Sequence, residues 1–155
     1  MRIRDILRDS AIMVGLKADT KKAVLEEMVA VLGEQGDLAD GRKMLEVLLA
    51  RESLGSTGIG QGIAIPHGKS SVAKSVTAVC GISKVGVDFD SLDDEKVFVI
   101  FLLVAPEEEA SQLLKALARV SALLKDKYFR KALINSESPQ DVIKILEQEE
   151  QSRKA

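Results

Sequence analysis

The chain has 155 residues, 46% hydrophobic and 30% charged, which gives enough apolar mass for one core and enough charge for a solvated surface; disorder is excluded and one domain is expected. A formal charge of −2, from 22 Lys+Arg against 24 Asp+Glu, together with 3% aromatics and no Trp, leaves neither a basic excess for phosphate backbones nor stacking platforms for bases, so no nucleic-acid partner is expected. The single cysteine, Cys80, excludes an intramolecular disulfide scaffold.

Residues 1–8 alternate charged and apolar side chains and read as a short amphipathic piece, not as a signal peptide. Residues 11–16 are apolar and predict a strand. Thr20 is a capping residue, and Ala23, Val24, Met28, Val31 and Leu32 recur behind it at helical spacing until Gly33 and Gly36 loosen the pattern. Residues 40–51 predict a second helix with Met44, Leu45, Leu48 and Leu49 as its buried stripe.

The middle of the chain then changes character. Gly55, Gly58, Gly60, Gly62 and Gly68 crowd into a short stretch with one proline and the only histidine. Such a density implies positive φ angles or close approach of backbone to something else. Ile63-Ala64-Ile65 reads as a short strand ended by Pro66.

Residues 75–84 are β-prone, residues 88–95 form a polar turn, and residues 97–104 are continuously apolar, as a strand buried on both faces requires. Pro106 stops that strand, and Glu107, Glu108 and Glu109 put negative charge at the start of a helix over 110–124 whose apolar side carries Leu113, Leu114, Leu117, Val120 and Leu124. Residues 127–134 predict another helix. Ser138-Pro139-Gln140-Asp141 starts a last one, and residues 151–155 read as a frayed tail. The longest apolar run falls well short of the about 20 residues a membrane helix needs, so direct membrane insertion is not expected and a cytoplasmic location is. Interleaved helices and buried strands predict a single α/β domain over residues 1–150, a mixed β-sheet flanked by helices on both faces.

The chemistry concentrates between Arg51 and Lys69. A glycine-rich loop exposes N–H groups that suit anions, Ser56 and Thr57 add hydroxyl donors, and the Arg51 guanidinium matches phosphate oxygens in a bidentate way. His67, between Pro66 and Gly68, supplies an imidazole that can act as a nucleophile near neutral pH. A nucleophile beside an anion cradle is what phosphoryl transfer needs. Each of these residues has a plainer reading as well: a loop histidine, an arginine answering a helix C-terminus, two turn hydroxyls.

Other motifs fail at single positions. A dinucleotide fingerprint begun at Gly58 and Gly60 would need glycine where Ile63 stands. A P-loop ending in Gly68-Lys69-Ser70 needs its first glycine at that same position. One His and one Cys cannot close a zinc site, Gly55-Ser56-Thr57-Gly58 is not a nucleophile elbow, and Asp88, Asp90, Asp93 and Asp94 lack the spacing of a calcium loop. No metal and no cofactor is expected.

The stretch resembles the active-site signature of the enzyme IIA components of the bacterial phosphoenolpyruvate-dependent phosphotransferase system, fructose/mannitol class (type 2). Glu52, Ile59, Gly60, Ile63, Ala64, Ile65, Pro66, His67 and Gly68 fill that signature in order, and the segments around Leu54–Gly60 and Gly62–Lys69 look most like its nitrogen-regulatory branch. The resemblance implies a mixed sheet flanked by helices, phosphorylation of His67 by the histidine phosphocarrier protein or its nitrogen-branch counterpart, on the ring nitrogen farther from the backbone, and Arg51 as the phosphate-site arginine with Ser56 and Thr57 near the phosphoryl group. It also implies onward partners, either a separate IIB domain or regulatory target proteins. One departure stands out. Relatives commonly carry a second active-site histidine on the helix after the long buried strand; here Leu113 occupies that position, with Gln112 beside it as a tentative surrogate. Three functions follow: a regulatory phosphohistidine carrier, a sugar-specific IIA component serving a separate IIB protein, or a binding-only module whose phosphotransfer is weak or lost. The departure favours the first over the second.

Overall fold

The longest apolar run of the sequence becomes the central strand of a six-stranded mixed sheet in the computed structural model, which describes residues 1–154. In chain order the elements are β1 (Ile12–Val14), α1 (Lys21–Glu34), α2 (Gly41–Ser53), β2 (Gly58–Gly60), β3 (Ile63–Ala64), β4 (His67–Lys69), β5 (Thr77–Val87), β6 (Val97–Ala105), α3 (Ala110–Leu123), α4 (Lys127–Ile134) and α5 (Pro139–Lys154). Short 3-10 turns occupy Ile3–Asp5, Asp9–Ala11 and Glu107–Glu109.

β6 pairs antiparallel with β5 on one side, and β5 pairs parallel with β1. Its other side carries two short parallel partners end to end. β3 sets Ile63 and Ala64 opposite Val99 and Ile100, and β4 sets His67, Gly68 and Lys69 opposite Leu103, Val104 and Ala105. β2 pairs antiparallel with β3 and closes the sheet. The run of apolar residues in β5 and β6 is intelligible from this placement. Helices α1 and α4 lie against β5, α3 and α4 against β6, and α2 covers β4, so both faces of the sheet are buried.

The caps follow from the sequence. Thr20, Asp40 and Asp126 each accept an N–H from the first turn of α1, α2 and α4, and Ser138 Oγ accepts the Asp141 N–H at 3.2 Å at the start of α5. Glu107–Glu109 forms a 3-10 turn ahead of α3 instead of its first α-helical turn.

Two differences from expectation have physical causes. β2 and β4 were not expected as strands, because three-residue strands, two of three residues glycine in β2 and one in β4, are too short to carry a period of their own and exist only through pairing. The last helix runs through Gln151 to Lys154 where a frayed tail was expected. Arg153 holds that turn, donating to the Ala122 carbonyl at 2.7 Å and pairing with Glu149 at 3.4 Å. The final tail residue, Ala155, lies outside the described residues. Among the described residues no helix is long and apolar enough to cross a membrane.

Candidate functional site

β3 and β4 are one line of chain along β6, interrupted at Ile65-Pro66. Pro66 has no N–H to give, but its carbonyl accepts the Leu103 N–H at 2.9 Å, so the chain stays in register and His67 emerges near the carboxyl end of β6. Gly68 then decides how close α2 can come. A Cβ placed on Gly68 would lie 2.9 Å from Val47 Cγ1 and 3.3 Å from Leu48 Cδ2. Only a residue without one lets α2 settle on the edge strand, and this brings Arg51, one helical turn beyond Val47, beside the imidazole.

The result is an open cleft of about 430 Å³. Val47 and Arg51 line it from α2, His67, Gly68 and Lys69 from β4, and Ala110, Leu113, Leu114 and Leu117 from α3. His67 is half-buried, and its Nδ1 lies 2.9 Å from the Ile65 carbonyl oxygen. A carbonyl can only accept, so Nδ1 carries the hydrogen, and in the neutral ring Nε2 holds the free lone pair. Arg51 gives one N–H to the Gly55 carbonyl at 2.9 Å, which steadies the guanidinium across the end of α2 and leaves its other donors available. Among the described residues no carboxylate pairs with Arg51 or Lys69. The cleft therefore combines one nucleophile, two cations without counter-charges and an apolar wall, an environment suited to a small dianion.

Of the residues singled out in the sequence, His67 and Arg51 share this cleft. Ser56, Thr57 and Gln112 do not line it. Ser56 Oγ donates to the Phe89 carbonyl at 2.7 Å and accepts the Gly58 N–H at 3.0 Å. Thr57 is buried and gives both its N–H and its hydroxyl to the Glu52 carboxylate. Leu113, where the resemblance implies a second histidine, does reach the cleft and forms part of its apolar wall.

Of the five glycines, only Gly68 borders the cleft. Gly60, Gln61 and Gly62, at φ +96°, +59° and +80°, make the tight turn between β2 and β3, and the Gln61 N–H is taken by Asp93 Oδ2 at 3.0 Å. The amides of Gln61 and Glu95 hold the Asp93 carboxyl below its ordinary range, so the acidic turn serves as a clasp on this hairpin. Lys69 is the residue the sequence reasoning passed over. Its signal was available, since two residues beyond His67 on a strand is the same face.

Elsewhere, a cavity of about 460 Å³ lies between the N-terminal turn and α5, but it holds Asp5, Glu147 and Glu150 with Arg2 and Arg4 and has no nucleophile. Burial pushes the Cys80 thiol up to about 12, which makes it inert. Among the described residues no cluster of His, Cys, Asp and Glu could hold a metal ion.

Over residues 5–149 the sequence matches the family described as phosphoenolpyruvate-dependent sugar phosphotransferase system, EIIA 2. It is 39% identical over 148 residues to the PTS system fructose-specific EIIABC component of Bacillus subtilis, covering 96% of this chain and only 23% of that longer protein. It is 38% identical over 146 residues to a nitrogen regulatory protein of Bradyrhizobium diazoefficiens, covering 94% of this chain and 95% of that one. The crystal structure of nitrogen regulatory protein IIA-Ntr from Neisseria meningitidis superposes with a TM-score of 0.86 at 35% identity, covering 93% of this chain and 98% of that chain. With a strand-mounted histidine and two cations at the position the signature marks, and with these relatives on both the sugar and the nitrogen side, the chain belongs to the type-2 enzyme IIA family of phosphotransferase-system components.

Proposed function

We propose that His67 accepts a phosphoryl group from a histidine phosphocarrier protein and holds it for a second protein, in a regulatory branch of the nitrogen type. The observation that carries this reading is the Nε2 lone pair of His67, freed by the Nδ1 contact to Ile65, in a cleft with Arg51 and Lys69. In the transfer, Nε2 forms a bond to phosphorus while the bond from phosphorus to the donor's ring nitrogen breaks, and the donor imidazole leaves with that electron pair. The Nδ1 hydrogen stays on His67 throughout. Arg51 and Lys69 offset the charge on the transferring oxygens, and the apolar wall of Ala110, Leu113, Leu114 and Leu117 limits water that would hydrolyse the product. Such a step needs no metal and no cofactor from this chain. Ser56 and Thr57 serve by holding the loop behind Arg51, since their hydroxyls are committed there.

Similarity to nitrogen regulatory proteins along nearly their full length and Leu113 in place of a second imidazole support the regulatory branch, with target proteins read in the cytoplasm. The second reading is a sugar-specific IIA component that passes the group to a separate IIB protein, favoured by the 39% identity to the fructose-specific relative. The third is a module that binds partners without transfer. Intact-mass measurement after incubation with phosphoenolpyruvate, enzyme I and the histidine phosphocarrier separates them. One acid-labile phosphoryl group on wild type and none on His67→Ala is expected. Acceptance by His67→Ala would overturn the site, and no acceptance by wild type would leave only the binding module. Adding a purified IIB domain then distinguishes the two carriers by whether the group leaves.

A further inference from the structure

A buried line of hydrogen bonds runs from the end of α2 to the imidazole. Glu52 is 6% exposed and spends both carboxylate oxygens on one residue: Oε1 accepts the Thr57 N–H at 3.1 Å and Oε2 accepts the Thr57 hydroxyl. Lys21, the first residue of α1, balances the charge at 3.1 Å from Oε1. The Thr57 carbonyl in turn accepts the Ile65 N–H at 3.1 Å, and the Ile65 carbonyl faces His67 Nδ1 at 2.9 Å. Thr57 and Ile65 are both buried. Because Pro66 follows, Ile65 is confined to an extended backbone, so the aim of its carbonyl depends on where this piece of strand is held, and Thr57 holds it.

Neither Glu52 nor Lys21 lines the cleft. Stability alone does not require them, since a buried ion pair is often no better than apolar side chains of similar volume. What the pair adds is a fixed, two-point grip on Thr57. We infer that Glu52 is a positioning residue for His67. By clamping Thr57 it sets the Ile65 carbonyl where the Nδ1–H tautomer fits, and so keeps Nε2 as the unprotonated nitrogen. The kinetic consequence rests on the phosphoryl-acceptor reading given above; the tautomer is a property of the unmodified protein and does not.

The test uses the full chain, labelled with ¹⁵N, as wild type, Glu52→Gln, Thr57→Val and Thr57→Ser. Long-range ¹H–¹⁵N correlation in alkaline buffer reports the tautomer, and His67 is the only histidine, so the signals have one source. Wild type and Thr57→Ser are expected to be mainly Nδ1–H. Glu52→Gln and Thr57→Val are expected to lower the ratio of Nδ1–H to Nε2–H severalfold, with the initial rate of phosphoryl acceptance falling alongside. Thr57→Val changes only the hydroxyl and carries the test if Glu52→Gln does not fold. An unchanged tautomer ratio in folded Thr57→Val overturns the inference, whatever happens to the rate. A shifted ratio in a protein whose wild type accepts no phosphoryl group would support the positioning role and sink the carrier reading instead.

Discussion

Gly68 and Val47 meet with no room between them: a Cβ on Gly68 would stand 2.9 Å from Val47 Cγ1. The residue after His67 is thus small for the sake of a helix, and the helix is the one that delivers Arg51. Gly68→Ala is expected to push α2 outward, to cost about 1–3 kcal/mol as overpacking does, and to slow phosphoryl acceptance. Adding Val47→Ala should recover much of both. Thermal unfolding and acceptance rates of the two variants check it; a fast, stable Gly68→Ala would show that the helix yields elsewhere.

The two cations of the cleft differ in how they are held. Arg51 is braced by the Gly55 carbonyl, and Lys69 extends from an edge strand without an ion pair among the described residues. Arg51→Ala is expected to slow acceptance by roughly 10²-fold, as loss of a preorganised donor does, and Arg51→Lys to recover only part, since an ammonium lacks the two-point fork. Lys69→Ala should cost less, and its effect should shrink as salt is raised. Rapid-quench measurement of phosphorylated protein gives both values.

Leu113 closes the cleft with carbon where a second imidazole would add a titrating donor; it is 5% exposed. Leu113→His is expected to lower stability by about 1–3 kcal/mol, because a polar ring replaces a packed aliphatic side chain. It should also add a limb to the pH profile of onward transfer that wild type lacks. The profile, taken with a fixed acceptor, decides; superimposable curves would mean that the position does not touch the transferring group.

Asp93 sets an acid limit on the β2–β3 hairpin. The amides of Gln61 and Glu95 lower its carboxyl from the ordinary 3.8, so its contribution to stability is present above that value and fades as pH falls through the lower, folded one. Asp93→Asn removes this linkage. The gap in stability between wild type and variant should be constant at neutral pH and close below about pH 4. Urea unfolding at stepped pH measures it, and the exchange rate of the Gln61 amide reports the hairpin directly.

Much of this was legible from the chain alone, and unevenly so. The segment over 127–134 was expected as a short helix and is α4 without change, and the apolar run from Val97 became the central strand because nothing else can bury it. His67 and Arg51 were legible as neighbours through the signature around them, which the cleft reproduces in space. The glycine loop was ambiguous for a physical reason. Positive φ and free amides look alike whether they serve an anion or a turn, and only the long-range clasp by Asp93 distinguishes them. Ser56 and Thr57 were placed by proximity in sequence; the Phe89 carbonyl that takes the Ser56 hydroxyl lies on a segment whose approach no local pattern encodes, and the Glu52 carboxylate, though only five residues away, takes the Thr57 hydroxyl through the fold of the loop after α2.

Mounting the histidine on a strand, in register with Leu103 and beneath a helix, has a bearing on how its state could be sensed. At that position the residues that hold the ring also hold the sheet edge. A phosphoryl group brings about −1.5 to −2 charges, close to the sum that Arg51 and Lys69 carry with opposite sign. The message such a carrier offers is then written in sign and not in shape, and an interacting surface would meet a positive patch before loading and a nearly neutral one after it.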